Sequence, residues 1–307
     1  MQPDHAARPA PAQKPVRRRR QWLAALGLLP LLQACSPLRL INAVVPSGTH
    51  TLIEGMAYGV HARQRMDVYL PRQPARAGGA PMVVFFYGGS WNSGERADYK
   101  FVGEALASRG IVAVVADYRL SPEVRYPAFL MDSAEAVKSA MDHAAQWGAS
   151  PERVYLMGHS AGGYNAAMLA LDGRWLRSAG AERGQLAGWI GLAGPYDFLP
   201  IGIPEVQQAF NWPGTPADSQ PLFHAQEVDA ASPPRVLLIA ARDDQVVDPG
   251  RNTQGLARAL RARGQAVQVE LYGGVGHATL IGAMAGPLRG LAPVLERIGQ
   301  FIDIRAS

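Results

Sequence analysis

Gly158-His159-Ser160-Ala161-Gly162-Gly163 is the stretch on which the reading of this chain turns. Ahead of it, Val154-Tyr155-Leu156-Met157 is short, apolar and partly β-branched and aromatic, the look of a buried strand. Behind it, Tyr164 to Leu171 is rich in Ala and Leu and predicts a helix. A serine between strand and helix, with glycine two positions before and two after, is the nucleophile-elbow pattern. So sharp a turn leaves almost no room for side chains at the flanking positions. Ser160 is then held in a strained conformation with its hydroxyl projecting from the sheet. The helix that follows aims its first N–H groups at whatever negative charge develops there. The pentapeptide alone recurs by chance; its place between a strand and a helix gives it weight.

Working outward, the rest of the chain keeps the same rhythm. Leu52–Gly59 and Met66–Leu70 read as the arms of an antiparallel hairpin, and residues 71–81 as a loop. Met82 to Phe86 and Ile111 to Ala116 are continuous apolar runs, expected of strands covered on both faces of a parallel sheet. Helical spacing runs from Asp98 to Arg109, closed by Gly110, and from Ala134 to Trp147, closed by Gly148. Further strands are expected at Leu186–Leu192, Val236–Ala240 and Val267–Leu271, with helices at about 250–263 and 287–303. This alternation predicts an α/β fold, a mostly parallel central sheet with helices on both faces. Residues 196–234 interrupt it with several prolines and with Phe198, Phe210, Trp212 and Phe223. They read as a small cap above the carboxyl ends of the strands, where such sheets bind ligands. The plainer alternative is a surface excursion whose aromatics only pack on the sheet.

The 307 residues are 48% hydrophobic and 18% charged, enough for one large domain with a substantial core. The formal net charge of +5 resides in residues 1–34, where six basic side chains face the single acid Asp4; the remainder is formally neutral. A nucleic-acid partner therefore loses its main support. In that leader the basic run Arg17–Arg20 precedes the uncharged stretch Trp22–Leu32 and then Leu32-Gln33-Ala34-Cys35. The stretch is shorter than the roughly 20 residues that span a bilayer, but it suits a signal-peptide core. The small residue before the sole cysteine resembles a bacterial lipobox, in which cleavage leaves the cysteine N-terminal and lipidated. Residues 1–34 are thus expected to be a lipoprotein-type signal peptide, 35–50 a tether and 51–307 the folded domain. Cys35 would carry the lipid that anchors the protein to a membrane of the bacterial cell envelope, facing the periplasm or the exterior. Arg19-Arg20-Gln21-Trp22-Leu23 loosely resembles a twin-arginine export motif. One cysteine excludes an intrachain disulfide.

A serine nucleophile needs a base, and the base needs an orienting acid. In elbow-bearing folds the partners follow the serine in the order acid, then histidine. Only His224 and His277 come after Ser160, and only His277 also follows the acidic turn at 243–248. His277 is expected in a glycine-rich loop, Tyr272 to Gly276, leaving the last strand; His224 is assigned to the cap. In the acidic turn Asp248 precedes Pro249 and a predicted helix, which suits an N-cap. Asp243 and Asp244 remain, and spacing alone does not choose between them. Oxyanion donors are expected from the N–H of Ala161 and from the loop Tyr87-Gly88-Gly89-Ser90-Trp91 after strand 82–86.

Together the oxyanion loop, the stretch Asp117-Tyr118-Arg119-Leu120-Ser121-Pro122-Glu123 and the elbow resemble the α/β-hydrolase superfamily, from about residue 50 to the C-terminus. Within it the chain is similar to hormone-sensitive-lipase-like carboxylesterases. The family's loop usually reads His-Gly-Gly-Gly or His-Gly-Gly-x-Trp; here Tyr87 replaces the histidine and Ser90 fills the third glycine position. Its acidic turn reads small-small-x-x-Asp-x-x-Val, which Ala240 to Val247 fits with Asp244 as the acid. Lacking a long helical segment ahead of the first strand, the chain looks more like the open-site esterases near acetyl-xylan and feruloyl esterases, isoprenylcysteine methylesterase and kynurenine formamidase. The resemblance implies ester hydrolysis through a Ser160–His277–Asp244 triad, with Gly88, Gly89, Ser90 and Ala161 forming the oxyanion hole. It implies a small-molecule ester substrate with a short acyl chain, and neither metal nor organic cofactor. A formamidase-like amide substrate on the same site, or a scaffold lipoprotein without catalysis, are the alternatives.

Overall fold

The computed structural model describes residues 41–73, 78–225 and 234–303. The leader, Cys35 and residues 226–233 of the expected cap lie outside them. Among the described residues eight strands form one sheet: β1 (His50–Ala57), β2 (Arg65–Pro71), β3 (Ala80–Phe86), β4 (Val112–Ala116), β5 (Ala149–His159), β6 (Leu186–Leu192), β7 (Arg235–Ala241) and β8 (Val267–Tyr272). Their spatial order is β1-β2-β4-β3-β5-β6-β7-β8. β1 and β2 pair antiparallel, as does β2 with β4, while β3 to β8 run parallel. β3 and β4 are buried along their whole length, which is why they read as unbroken apolar runs rather than alternating ones.

Among the described residues, the helices that follow β1 are α1 (Lys100–Ala107), α2 (Ala128–His143), α3 (Ala161–Leu171), α4 (Gly173–Ser178), α5 (Pro204–Phe210), α6 (Pro221–Ala225), α7 (Thr253–Ala262), α8 (His277–Gly282) and α9 (Val294–Asp303). From β3 the chain steps one way to β4, then reverses across β3 to β5 and continues outward to β8. Right-handed crossovers therefore place α1 on one face and α2, α3 and α7 on the other. An Arg289–Glu104 ion pair ties the segment before α9 to α1. The reversal opens a crevice at the carboxyl ends of β3 and β5, whose registers pair Phe86 with Gly158. The 87–91 loop and the elbow leave the sheet side by side there.

Several boundaries differ from the expected ones. α2 begins at Ala128 rather than Ala134, directly behind Pro127, and ends at His143. α1 is preceded by a 3₁₀ turn over Arg96–Tyr99, and α9 starts only at Val294. α7 starts at Thr253 with Asn252 in the cap position, so Asp248 is not its N-cap. The Asp248 carboxylate instead accepts from the N–H groups of Gly250 and Arg251, capping a separate turn ahead of the helix. His277 is the first residue of α8 rather than a loop residue. Residues 41–50 are docked: the Asn42 side chain bridges the Ala97 carbonyl and the Phe101 N–H.

Candidate active site

At the end of β5 the backbone of Ser160 takes φ 54° and ψ −122°, a left-handed conformation that a non-glycine residue adopts only under constraint. The constraint is visible in its neighbours. A Cβ on Gly158 would lie 2.0 Å from the Gly162 carbonyl oxygen, and one on Gly162 2.0 Å from that of Phe86. The Ser160 N–H donates to the Leu192 carbonyl at 2.9 Å, fastening the turn to β6. Ala161 opens α3, so its N–H is among those a helix leaves without an internal partner.

The structure brings Asp244 and His277 together. His277 Nδ1 lies 2.8 Å from Asp244 Oδ2. Asp244 Oδ1 accepts from the N–H groups of Val246 at 2.8 Å and Val247 at 3.0 Å. Three donors thus converge on one buried carboxylate, which orients it and leaves His277 Nε2 as the basic nitrogen. Asp243 and Asp248 are exposed, and it is Asp244 whose carboxylate meets His277; Asp248 lines the rim of the cavity beside Ser160 while its carboxylate is engaged by Gly250 and Arg251. His224 sits in α6 with Nε2 against the Asp218 carbonyl, away from the serine cleft.

The 87–91 loop, the expected source of oxyanion donors, is held from below. A Cβ on Gly88 would come within 2.8 Å of Ser160 Cβ, so only glycine lets this backbone approach the serine. Ser90 and Trp91 both have positive φ, at 51° and 59°. The Asn92 and Ser93 N–H groups close the loop on the Gly89 carbonyl. Tyr87, standing where the family has histidine, stacks between Tyr99 and Tyr118 at ring separations of 5.5 and 4.9 Å. Its hydroxyl accepts from Arg63 Nη2 at 2.6 Å and donates to Asp117 Oδ1 at 2.8 Å. Burial and the neighbouring Asp117 carboxylate push its pKa well up, so it stays a neutral donor. The Tyr118 hydroxyl holds the Tyr87 carbonyl, and Arg63 also donates to the carbonyls of Gly94 and Tyr118. Arg96 joins Asp117 to Asp67 beneath them.

Two clefts meet at Ser160. One is lined by Gly88, Gly89, Ser90, Asp98, Tyr99, His159 and His277. The other, a cavity of about 250 Å³, is walled by Trp91, Phe198, Ile201, Val206 and the Asp197–Arg251 ion pair. The 196–225 excursion therefore has two duties: Phe198 faces the cavity, while Phe210 packs edge-on against Trp91 at 4.7 Å. Asn252 pins the start of the excursion by accepting from the N–H groups of Tyr196 and Asp197. The supports Arg63, Arg96 and Asn252 escaped the sequence reading, since each acts on a carbonyl, carboxylate or N–H remote in sequence. Asp117, inside the quoted 117–123 stretch, was the one pointer to them.

The family model described as BD-FAE matches residues 66–260. The chain is 27% identical over 260 residues to a probable isoprenylcysteine alpha-carbonyl methylesterase of Oryza sativa subsp. japonica, covering 78% of this chain and 60% of that protein. It thus spans about 60% of the length of such curated relatives. Among solved structures, esterase B from Lactobacillus rhamnosis superimposes with a TM-score of 0.72 at 18% identity, over 88% of this chain and 93% of that one. A hyperthermophilic esterase from Pyrobaculum calidifontis gives 0.69 at 23% identity, over 88% and 90%. At these identities the structures speak for the fold. With the family model spanning residues 66–260 and the reversed, mostly parallel sheet beneath the elbow, the chain belongs to the BD-FAE family and has the α/β-hydrolase fold.

Proposed function

We propose that the protein hydrolyses carboxylic esters by two-step acyl transfer. The observation that carries this reading is the Asp244–His277 hydrogen bond at the rim of the cleft that also holds Ser160. His277 Nε2 takes the Ser160 proton as Oγ attacks the ester carbonyl carbon, and Asp244 fixes the tautomer and balances the imidazolium charge. The N–H groups of Gly89, Ser90 and Ala161 receive the oxyanion, with Gly88 giving the close approach; losing one such donor typically costs about 3 kcal/mol. Collapse of the tetrahedral intermediate passes the proton from His277 to the departing alcohol. Water then repeats the attack on the acyl-serine and releases the acid.

The proton donor dictates sides. The alcohol must leave within reach of His277, in the cleft that residue lines, so the acyl group occupies the cavity on the other side of Ser160. At about 250 Å³ that cavity falls just below the roughly 300 Å³ at which drug-sized pockets begin, which favours short acyl chains. Ser160→Ala should fold as the parent does and lose nearly all turnover of activated acetyl esters, and a phosphonate probe should label Ser160 in the parent. Equal hydrolysis by parent and variant would end the reading; a panel of esters and formamides identifies the preferred bond. We also propose that the mature chain starts at a lipidated Cys35 and resides on a bacterial envelope membrane. Fractionation of a native-type host, with Cys35→Ser as control, tests this; a soluble parent with an intact leader would refute it.

A further inference from the structure

His159, the residue inside the elbow just ahead of the serine, has no part in the acyl-transfer steps. It is nonetheless buried at 5% exposure between the two halves of the site. Its Nε2 lies 3.1 Å from the backbone carbonyl oxygen of His277, and the two imidazole rings are 4.8 Å apart. On the other side, its Nδ1 is 3.1 Å from where a Gly88 Cβ would stand, so the ring abuts the oxyanion loop. A carbonyl only accepts, so Nε2 must carry the proton. Nδ1 is then a bare lone pair, with no hydrogen-bond partner among the described residues. Burial and the neighbouring His277 hold the His159 pKa down to about 3, which keeps the ring neutral at working pH.

We infer that His159 is a positioning residue for His277: its Nε2–H grips the His277 carbonyl and sets where the base stands relative to Ser160. His277 opens a six-residue helix behind a glycine-rich segment, Gly273-Gly274-Val275-Gly276, that adds little stiffness of its own. The Asp244 bond fixes the imidazole at Nδ1 but not the main chain that bears it. The bond from His159 supplies that second fixed point, and it comes from the residue bonded to the nucleophile itself. Serine and base are thereby tied across one peptide unit and one hydrogen bond. A base displaced by about 1 Å typically loses on the order of 10²-fold in rate while substrate binding, made elsewhere, survives. A neutral donor is the fitting choice. A cation here would face the imidazolium that forms in each transition state, its ring only 4.8 Å away; among the acids, Asp244 acts on His159 and Asp98 lines the same cleft.

The inference rests on the reading of Ser160 and His277 as nucleophile and base, and the experiment separates the two. Three variants of the full chain are compared with the parent on an activated acetyl ester. His159→Gln places an amide donor near the Nε2 position, His159→Asn places it near Nδ1 out of reach of the His277 carbonyl, and His159→Leu removes it. The expected result is a kcat about 10- to 100-fold below the parent for Leu and Asn, KM within about twofold, and Gln restored to within a few-fold. Melting curves taken alongside keep the assay well below unfolding for every variant. Parent-like kcat in Leu, or Asn matching Gln, would overturn the inference while phosphonate labelling of Ser160 in the parent still upheld the esterase reading. A Ser160→Ala protein as active as the parent would bring down that reading and the inference with it.

Discussion

Among single residues the sharpest decision lies between neighbouring aspartates. Adjacent residues leaving a strand point in opposite directions, and here Asp244 turns inward to His277 while Asp243 turns to solvent. Asp244→Asn should lower kcat by up to about 10⁴-fold with the fold intact, because the amide leaves the imidazole in the wrong tautomer. Asp243→Asn should keep parent activity. Asp248→Asn should also keep it, but with a slightly lower melting temperature, since its carboxylate caps the turn over residues 248–252. Kinetics and melting curves of the three variants check the assignment, and a crippled Asp243 variant would move the acid by one position. His159 offers a pH test at the same scale. Its pKa is near 6.5 unfolded and about 3 folded, so between those values the unfolded chain binds the extra proton. Stability from this group is complete above pH 6.5 and falls as the pH drops towards 3, by up to about 1.4 kcal/mol per unit. Urea titrations from pH 7 to pH 4 should show a gentler decline in His159→Gln than in the parent.

At the level of elements, the 87–91 loop between β3 and α1 depends on a clamp rather than on its own sequence. Arg63, from the β1–β2 connection, donates to the Gly94 and Tyr118 carbonyls and to the Tyr87 hydroxyl. Replacing it with leucine leaves two carbonyls and one buried hydroxyl short of a donor. Each such loss costs about 1–3 kcal/mol where the group is shut off from water, and less at the half-exposed Gly94. Arg63→Leu should therefore lower stability by at least about 2 kcal/mol and, on the proposed mechanism, should lower kcat more than it raises KM, because in that mechanism the loop meets the oxyanion rather than the ground-state ester. Urea unfolding and steady-state kinetics on one preparation would measure both. An Arg63→Leu enzyme that loses stability but keeps kcat would show that the clamp serves the fold alone.

For the molecule as a whole, the sheet reversal sets where the crevice opens, and the 196–225 excursion walls the cavity beside Ser160. Phe198 stands at the boundary of the two tasks, lining the cavity proposed for the acyl group and touching Trp91 and Tyr164 at ring separations of 5.8 Å. Phe198→Ala should enlarge the cavity and shift the best substrate from acetyl towards longer acyl chains, with a modest loss of stability because the ring is only partly buried. A graded ester series compared between parent and variant provides the measurement. An unchanged chain-length optimum would place the acyl group on the His277 side instead.

The strands, the elbow and the place of Ser160 within it were legible in the chain itself, because they rest on local physics; His277 was a candidate through its order along the chain, after the serine and the acidic turn. Unbroken apolar runs declare strands buried on two faces, and glycines at 158 and 162 declare a turn with no room for a Cβ. Helix boundaries were less legible: α2 starts six residues early because Pro127 suits the entry to a helix as well as a break before one. Asp248 looked like the cap of α7, but Pro249 to Asn252 form a separate turn, and only packing against Tyr196 and Asp197 settles Asn252 at the helix start. The supports of the site were beyond any local reading. Arg63 meets Tyr87, Asp117 meets Arg96, and His159 meets His277 across 118 residues of chain. Hydrogen bonds between such distant partners leave no period or spacing in the sequence. They exist only once the sheet has brought the ends of β3, β5 and β8 to one rim, and that was decided by the tertiary structure.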